Sequence, residues 1–134
     1  MKLKLTTDYA IRIVVYLAQQ GTQILTAKDT AEKLGITYSY FNKVAARIKQ
    51  AGFIEAVKGP GGGYMLAKKP SDITLFDIVE TMEGSVYLNL CTKSGGYCSR
   101  YAGDMSACRI HQIFEAMQEN MISVLKSKKI CDVC

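Results

Sequence analysis

Apolar side chains recur at intervals of three and four residues in several stretches of this chain, which is the spacing of one face of an α-helix. Residues 7–20 form the first such stretch, with Thr6 or Thr7 as a candidate N-cap and Gly21 as a stop. Asp8 falls in the first turn, where a carboxylate interacts favourably with the helix dipole. The pattern predicts an opening helix that packs on a core.

Two further helical stretches follow, separated by a tight turn. The first runs from Ala27 to Leu34, and the second follows Thr37, a candidate N-cap, and ends before Gly52. Phe41 lies on the inner face of the second stretch, so we expect it in the core. Two helices joined in this way indicate a helix-turn-helix, whose second helix can enter the major groove of DNA.

Two short extended runs come next. Phe53 to Val57 and Tyr64 to Ala67 are typical of strands, and the glycine-rich segment Lys58 to Gly63 is typical of the turn between them. A hairpin directly after a helix-turn-helix is a wing, and its glycines allow the backbone to approach a phosphate closely. A nucleotide-binding glycine loop is excluded because it would need a helix, not a strand, after its glycines.

The last two helical stretches are a short and a long one. Thr74 with Asp77 can cap a helix that runs to Glu83, and a long helix is predicted from about Ala107. In the long helix the apolar positions recur about every 3.5 residues, which is coiled-coil spacing and favours a homodimer over packing on the same domain. The positions of this seam are Ile110, Phe114, Met117, Met121 and Val124.

These elements predict a mainly α fold with a small β-hairpin. We expect a winged helix-turn-helix domain over residues 1–84, a cysteine-rich loop over 85–107, and a dimerisation helix with its tail over 108–134. The apolar runs are too short to span a bilayer, and the N-terminus does not read as a signal peptide. We therefore expect a cytoplasmic protein without membrane contact.

Positive charge is concentrated in the first half of this 134-residue chain, whose formal net charge is +5. Residues 1–70 contain eleven Lys or Arg and four Asp or Glu, whereas residues 71–84 contain four acids and no base. A basic half is the electrostatic pattern of a nucleic-acid-binding protein, although a solvated lysine-rich surface has the same composition. The charge supports the helix-turn-helix interpretation without proving it.

The stretch from Cys91 to His111 contains three of the five cysteines and the only histidine. An odd number of cysteines cannot all pair within one chain, and in a reducing compartment metal or redox chemistry is the commoner use. Three thiolates with an imidazole suit an iron-sulfur cluster or a tetrahedral zinc ion. Cys131 and Cys134 form a CxxC pair in the basic tail; such a pair can bind zinc, act in redox exchange or lie in a frayed end, and we expect the last.

Several motifs together resemble one family. They are MKLKLTTDYA from Met1, GITYSY from Gly35, KGPGGGY from Lys58, and ITL and MEG around the fourth helix. These motifs are similar to those of the winged-helix repressors typified by IscR, NsrR, RirA and CymR, and they cover nearly the whole chain in order. The resemblance implies a homodimer that binds double-stranded DNA at an imperfect palindrome and regulates transcription.

In cluster-holding members of this family, three cysteines between the last two helices bind an iron-sulfur cluster, and Cys91, Cys98 and Cys108 occupy those places. Their spacing is longer than in the IscR or NsrR types. A histidine at the place of His111 implies a 2Fe-2S cluster, whereas Asp8 resembles the aspartate that reaches a 4Fe-4S cluster from the partner subunit in NsrR-type regulators. We expect His111 as the fourth ligand, since it lies one helical turn from Cys108. Zinc bound by the same four residues is a minor alternative.

The predicted DNA contacts lie on the second helix of the helix-turn-helix and on the wing. We expect Tyr40, Asn42 and Lys43 to read bases and Arg47 to contact phosphate, because amide and cationic side chains match base edges and phosphates respectively. The full predicted set is Thr37, Ser39, Tyr40, Asn42, Lys43, Arg47, Lys58, Gly59, Pro60, Gly61 and Gly62.

Two other functions remain open at this point. A metal-free repressor controlled by thiol oxidation or by a partner protein is suggested by the CymR-like members of the family. A small redox or metal-carrier enzyme is the other, but the sequence contains no evident pair of nucleophile and base. We therefore expect no enzymatic activity and no small-molecule substrate.

Overall fold

The computed structural model describes residues 2–134, so Met1, the first residue of the predicted domain, lies outside the described residues. Within that range the chain forms five α-helices and one two-stranded antiparallel sheet. This order confirms the predicted winged helix-turn-helix with a long C-terminal helix. The elements are α1 Leu5–Gln19, α2 Ala27–Leu34, α3 Tyr38–Gln50, β1 Ile54–Val57, β2 Gly63–Leu66, α4 Leu75–Glu83 and α5 Arg109–Ser127.

One apolar core lies between α1, α3 and α4, the helices whose inner faces the spacing predicted. Phe41 is fully buried there, as predicted. Burying side chains of this size contributes about 1.5–3 kcal/mol each, so this core holds the helix-turn-helix in place. Its largest fully buried members include Ile13, Leu17, Phe41, Ile48, Ile78 and Met82.

The turn between α2 and α3 fixes the orientation of the second helix of the helix-turn-helix. Gly35 adopts a left-handed conformation with φ 66°, which a residue with a side chain rarely adopts. Directly after it, the hydroxyl of Thr37 accepts a hydrogen bond from the backbone N–H of Tyr40 at 3.3 Å and so caps α3. Two local features therefore set the point at which α3 begins.

The start of α1 differs from the prediction. The helix begins at Leu5, and its N-cap is Lys4, so neither Thr6 nor Thr7 is the cap. Thr7 is instead fully buried, and its hydroxyl donates a hydrogen bond to the carboxylate of Glu83 at the end of α4. Burial by itself raises the pKa of Glu83. The hydrogen bonds that its carboxylate accepts from the Thr7 hydroxyl and the Lys4 backbone, together with the positive charge of Lys4, outweigh burial, so the pKa of Glu83 is lowered.

The wing is tied to the body of the domain by a third strand-like segment. β1 pairs with β2 from Ile54 opposite Leu66 to Val57 opposite Gly63. Leu25 then forms a bridge with Tyr64, with N–H to carbonyl distances of 2.9 and 2.7 Å. A side chain at position 63 would collide with the carbonyl of Leu25, so this close approach requires glycine.

The apolar side chains of α5 fall on two faces. Phe114 and Met121, two members of the predicted seam, are half-buried against their own chain. The other three members of the seam, together with Ile113, remain largely exposed in one stripe along the helix. This stripe consists of Ile110 at 57% exposed, Ile113 at 53%, Met117 at 48% and Val124 at 60%.

The tail after α5 is not frayed, which corrects the expectation from sequence. The carbonyl of Lys128 accepts from the N–H of Leu75 at 2.8 Å, and the N–H of Ile130 donates to the carbonyl of Ile73 at 2.9 Å. The side chain of Ile130 is fully buried in the same core as α1 and α4. The chain therefore returns to the N-terminal domain after its long helix.

Candidate functional site

A cavity of about 370 Å³ lies between the loop that follows α4 and the first turns of α5. Cys91, Cys98, Cys108 and His111 all contribute to its lining, so the structure brings together the four residues predicted as ligands. The remaining wall is largely apolar and includes Leu90, Tyr97, Met105, Ile110 and Phe114. Leu90, Tyr97 and Ile110 are themselves largely exposed, so within one chain this side of the cavity is open to water.

Gln118 of α5 fastens the beginning of the cysteine loop to the helix. Its Oε1 accepts from the backbone N–H of Leu88 at 2.8 Å, and its Nε2 donates to the carbonyl of Thr92 at 3.1 Å. These two bonds enclose Cys91, whose sulfur also accepts from Asn89 Nδ2 at 3.4 Å. Sequence patterns do not mark Gln118, because a single amide side chain beside an apolar seam belongs to no recognisable motif.

Cys108 is the N-cap residue of α5. Its sulfur accepts a hydrogen bond from the backbone N–H of His111 at 3.4 Å, in the place that a serine hydroxyl usually occupies. The N-terminus of a helix carries partial positive charge, and a sulfur with negative charge is favoured there. Cys108 is therefore well placed to act as a thiolate ligand.

The two ring nitrogens of His111 have different surroundings. Nε2 lies 3.2 Å from Oε1 of Glu115, one turn further along α5. Nδ1 is buried, and of the buried side-chain nitrogen and oxygen atoms in residues 2–134 it alone has no hydrogen-bond partner. A carboxylate on one imidazole nitrogen is the usual arrangement when the other nitrogen binds a metal. The geometry leaves Nδ1 as the candidate ligand atom.

The four donors line one cavity without converging on one point. Throughout residues 2–134, no three His, Cys, Asp or Glu side chains are close enough to hold a single metal ion. Cys91, Cys98 and Cys108 are half-buried free thiols. The donor set, three thiols and one unpartnered imidazole nitrogen, fits the ligands of an iron-sulfur cluster in its chemistry. The loop would have to draw its thiols inward to bind one.

Asp8, the alternative fourth ligand, is engaged elsewhere in its own chain. Its Oδ2 lies 2.6 Å from Nη2 of Arg12, one turn along α1, and it does not contribute to the cysteine cavity. Arg12 also lies over the ring of Tyr9 at 5.5 Å. Within one chain, therefore, Asp8 is part of a surface ion pair, which is the common structural role of such a residue.

The exposed face of α3 presents aromatic and cationic side chains next to each other. Tyr38, Ser39, Tyr40 and Lys43 are exposed, and Asn42 is half-buried. Tyr40 packs edge-on against the ring of Tyr9 at 5.9 Å between centroids, and Nζ of Lys43 lies 6.0 Å from the Tyr40 ring. Because Tyr40 is held by α1 and in turn contacts Lys43, two of the three predicted base-reading residues lie side by side on a supported surface.

Arg47 makes contacts that the sequence did not indicate. Its Nη2 donates to the carbonyl of Thr81 at 2.8 Å, and its Nη1 donates to the carbonyl of Met82 at 3.3 Å. These carbonyls end α4, where a cation is favoured by the helix dipole. The residue is exposed, and its remaining N–H groups could still reach a phosphate. Its predicted phosphate contact stays a prediction beside this structural role.

The wing turn is exposed from Lys58 to Gly61, and Gly62 is half-buried. Gly59 and Gly61 have φ angles of 90° and 73°, which only glycine adopts readily. The N–H of Gly62 donates to the carbonyl of Gly59 at 2.9 Å and closes the turn. The turn thus holds Pro60 and its flanking backbone out from the domain.

A winged helix-turn-helix with a basic, exposed second helix defines a DNA-binding transcriptional regulator. The particular family is the Rrf2 family, described as iron-dependent transcriptional regulators, and the chain belongs to it: the family profile matches residues 3–134. This membership confirms the resemblance found in the motifs. It also places the chain among transcriptional regulators and not among enzymes, as expected from its sequence. No helix within residues 2–134 is long and apolar enough to cross a bilayer.

Individual relatives support the same assignment. The chain is 36% identical to the HTH-type transcriptional regulator NsrR of Shouchella clausii (strain KSM-K16) over 68% of its length and 62% of that protein. It is 33% identical to Protein aau3 of Rhizobium meliloti (strain 1021) over 71% of its length, again covering 62% of the relative. These two alignments therefore span less than two thirds of the relatives.

Two solved structures share the fold over almost the whole chain. IscR of T. potens superimposes with a TM-score of 0.76 at 26% identity, covering 99% of this chain and 85% of that one. CymR of B. subtilis, the global cysteine regulator, superimposes with a TM-score of 0.83 at 20% identity, covering 99% and 95%. At that identity the similarity to CymR concerns the fold alone.

Proposed function

We propose that this chain is a homodimeric regulator of transcription that acts in the cytoplasm and holds an iron-sulfur cluster in the cysteine cavity. The observation that carries the proposal is that three cysteines and His111 line one cavity at the N-terminus of α5, and that Nδ1 of His111 is buried without a hydrogen-bond partner. The ligands are Cys91, Cys98, Cys108 and His111. Similarity to relatives named IscR and NsrR supports this reading.

A two-iron cluster suits the arrangement of these donors better than zinc does. A zinc ion requires all four donors within about 2.0–2.3 Å of one point. In a two-iron cluster the ligands are divided between two metal ions, so they need not converge. Because the donors line a cavity of about 370 Å³ without meeting at one point, they would have to move less to reach two metal ions than to reach one. We therefore favour 2Fe-2S over zinc, and His111 as ligand over Asp8.

When bound, the cluster supplies a centre that responds to redox state, to nitric oxide or to cluster supply. The residues of the chain provide a route from the cavity to α3. The cysteine loop begins directly after Gly84, the C-cap residue of α4, and Arg47 of α3 is hydrogen-bonded to the last turn of α4. A change in the loop that moves the end of α4 would therefore act on α3 through Arg47.

The same proposal includes a dimer on an imperfect palindrome. The stripe of Ile110, Ile113, Met117 and Val124 leaves an apolar face of α5 in water, which a second copy of α5 would cover. A two-fold dimer would present two copies of α3 to two half-sites of double-stranded DNA. The base contacts would come from Tyr40, Asn42 and Lys43, and the wing would contact the backbone.

The test is iron and sulfide analysis, with visible spectra, of protein purified without oxygen. We expect the parent protein to be coloured, Cys108→Ser to be colourless, and His111→Ala to lose the cluster or change its spectrum. Asp8→Ala should keep the cluster. Cys131→Ser is the matched control, since it removes a thiol that does not line the cavity, and it should match the parent. If His111→Ala kept the cluster and Asp8→Ala lost it, the fourth ligand would be Asp8, as in the alternative with a 4Fe-4S cluster.

A metal-free thiol-regulated repressor is the second candidate. The observation that favours it is that Cys91, Cys98 and Cys108 are free thiols that do not converge on a metal position. It predicts a colourless protein, even after reconstitution with iron and sulfide, whose affinity for DNA responds to peroxide or to a partner protein. That result would overturn the cluster proposal and leave the DNA-binding proposal standing.

A further inference from the structure

Cys131 and Cys134 are two thiols that the proposed cluster site does not use. Both are free and exposed, and neither lines the cysteine cavity. Cys131 lies in the short 3-10 helix Ile130–Asp132 that follows α5, and Cys134 comes two residues after the end of that helix. The pair therefore needs an explanation separate from the cluster.

The turn brings the two thiols to one side of the chain. Side chains three residues apart in one helical turn lie on the same side of it. The carbonyl of Ile130 accepts from the N–H groups of both Val133 at 3.1 Å and Cys134 at 3.0 Å, which closes the turn. Cys131 and Cys134 both lie within this turn, where residues three apart have Cβ atoms about 5–6 Å from each other, and a disulfide requires Cα atoms about 4.4–6.8 Å apart. The backbone already has nearly the separation that a disulfide needs.

Contacts with the domain hold the turn in this shape. Ile130 is fully buried, and its N–H donates to the carbonyl of Ile73 at 2.9 Å. Asp132 accepts from the backbone N–H of Lys129 at 2.8 Å and so caps the start of the short helix. In a flexible peptide the two cysteines would spend much of their time apart. Here the fold keeps them together, which raises their effective concentration for each other.

The charge around the pair favours an anionic reaction partner. Lys128 and Lys129 are exposed directly before the turn, and Asp132 is the single acid within it. Low-molecular-weight disulfides of cells, such as oxidised glutathione, carry net negative charge, so the local field would attract them. The thiols are reachable because both cysteines are exposed. The chemistry of the two thiols, their exposure and the positive charge beside them all favour a low-molecular-weight disulfide as the reactant.

We propose that Cys131 and Cys134 form a reversible disulfide by exchange with a low-molecular-weight disulfide. One cysteine, as its thiolate, attacks the disulfide, forms a mixed disulfide and releases one thiolate. The other cysteine, also as its thiolate, then attacks the protein sulfur of the mixed disulfide and releases the second thiolate. The protein pair is oxidised by two electrons, the small disulfide is reduced by two, and the protons of the two protein thiols end on the released thiols.

Peptide mapping of the cluster-free full chain tests this directly. The protein is equilibrated with glutathione disulfide, quenched in acid, alkylated and digested with trypsin. Cleavage after Lys129 gives a peptide from Ile130 that carries both cysteines, while cleavage at Lys93, Arg100 and Arg109 places Cys91, Cys98 and Cys108 on separate peptides. We expect the Ile130 peptide to lose the mass of two hydrogen atoms and to escape alkylation.

The matched variant is Cys131→Ser, which keeps one thiol in the same turn. Its Cys134 should stop at the mixed disulfide and gain the mass of glutathione, because no second thiol can displace it. A parent protein that also stops at mixed disulfides, or that links two chains through this peptide, would overturn the proposal.

The second measurement concerns the fold itself. The equilibrium constant for oxidising the pair is measured in glutathione buffers for the native protein and for the same protein in denaturing urea. If the native turn preorganises the pair, oxidation should be about tenfold more favourable in the native protein. Equal or less favourable oxidation in the native protein would show that the turn opposes the disulfide and would overturn the inference.

Discussion

Nη2 of Arg47 donates to the carbonyl oxygen of Thr81 at 2.8 Å, so the helix expected to read DNA is bonded to the last turn of the helix that leads into the cysteine loop. The two residues are 34 positions apart in sequence. Arg47 therefore has two candidate roles, contact with a DNA phosphate and attachment of α3 to α4. Substitutions can distinguish the two roles.

We expect Arg47→Ala to lower the free energy of unfolding by about 1–2 kcal/mol, because two hydrogen bonds from a charged group to the α4 carbonyls are lost. Chemical denaturation of the cluster-free protein measures this. Lys49→Ala is the control: it removes the same charge from the same helix, and the exposed side chain of Lys49 makes no hydrogen bond or ion pair with the described residues. It should change stability by less than about 0.5 kcal/mol. Equal effects of the two substitutions would contradict the attachment.

Glu83 should make stability depend on pH. Its pKa in the folded protein lies below the ordinary 4.5, so its contribution is fully present above pH 4.5 and is lost as the pH falls through the lower folded value. Glu83→Gln should cost about 1 kcal/mol near neutral pH, because a neutral amide accepts more weakly from Thr7 and Lys4. The difference from the parent should shrink below pH 4.5.

Thermal unfolding across this pH range provides the measurement. Glu80→Gln is the matched control, because Glu80 lies exposed on the same helix and its carboxylate accepts no hydrogen bond from the described residues. It should show no such convergence. A constant difference between Glu83→Gln and the parent at all pH values would mean that the carboxylate charge is not what Thr7 and Lys4 recognise.

His111→Leu should separate stability from cluster binding. A buried polar atom without a partner costs about 1–3 kcal/mol, and the substitution removes Nδ1. We expect the cluster-free variant to be at least as stable as the cluster-free parent in urea, while it no longer binds the cluster. Glu115→Gln is the companion variant, which keeps Nδ1 but removes the carboxylate on Nε2. It should weaken cluster retention about tenfold without abolishing it.

Ile113→Glu should convert a dimer into a monomer. A charge in the centre of the exposed apolar stripe of α5 would be buried without a partner in the proposed dimer. Sedimentation analysis of the mass in solution gives the answer. Ser123→Glu adds the same charge on a different face of α5 and should leave the dimer intact. A parent protein that is monomeric at all concentrations would contradict the proposed dimer.

Lys43→Ala should relax sequence preference at one position of each half-site. Loss of a base contact costs about 1–3 kcal/mol for the preferred sequence and little for others, whereas loss of a phosphate contact weakens all sequences alike. Fluorescence anisotropy with an operator and with mutated sites distinguishes the two. Tyr40→Phe keeps the ring that packs on Tyr9 and contacts Lys43 but removes the hydroxyl, so it should lose affinity for the preferred sequence and little for others, as Lys43→Ala does.

Local patterns predicted those elements whose boundaries are set by neighbouring residues. α2 and α4 occur where Thr26 and Thr74 cap them, and α3 follows Thr37, because each cap acts within its own turn. β1 begins one residue later than predicted, and β2 lies one residue earlier than predicted. The start of α1 was wrong because Thr7 is used by Glu83, which lies 76 positions away and leaves no mark near α1.

The sequence indicated the candidate ligand residues of the site but not the residues that hold them in place. Cys91, Cys98, Cys108 and His111 were recognisable because thiols and imidazole are chemically distinctive and close in sequence. Glu115 and Gln118 were not, because a carboxylate or an amide on a surface helix is ordinary until the loop packs beside it. The predicted seam of α5 contained Phe114 and lacked Ile113, whereas the observed exposed stripe contains Ile113 and lacks Phe114. The reason is that packing of the cysteine loop and the domain against α5 decides which apolar side chains are covered.

Ile130 has a consequence for the synthesis of the chain. A core side chain that comes after the long helix means that the N-terminal domain lacks one of its internal contacts until residue 130 has left the ribosome. The domain that would bind DNA is therefore completed last, although its helices are made first. A nascent chain interrupted before this residue would release a domain with an open core, which cellular proteases can recognise and remove.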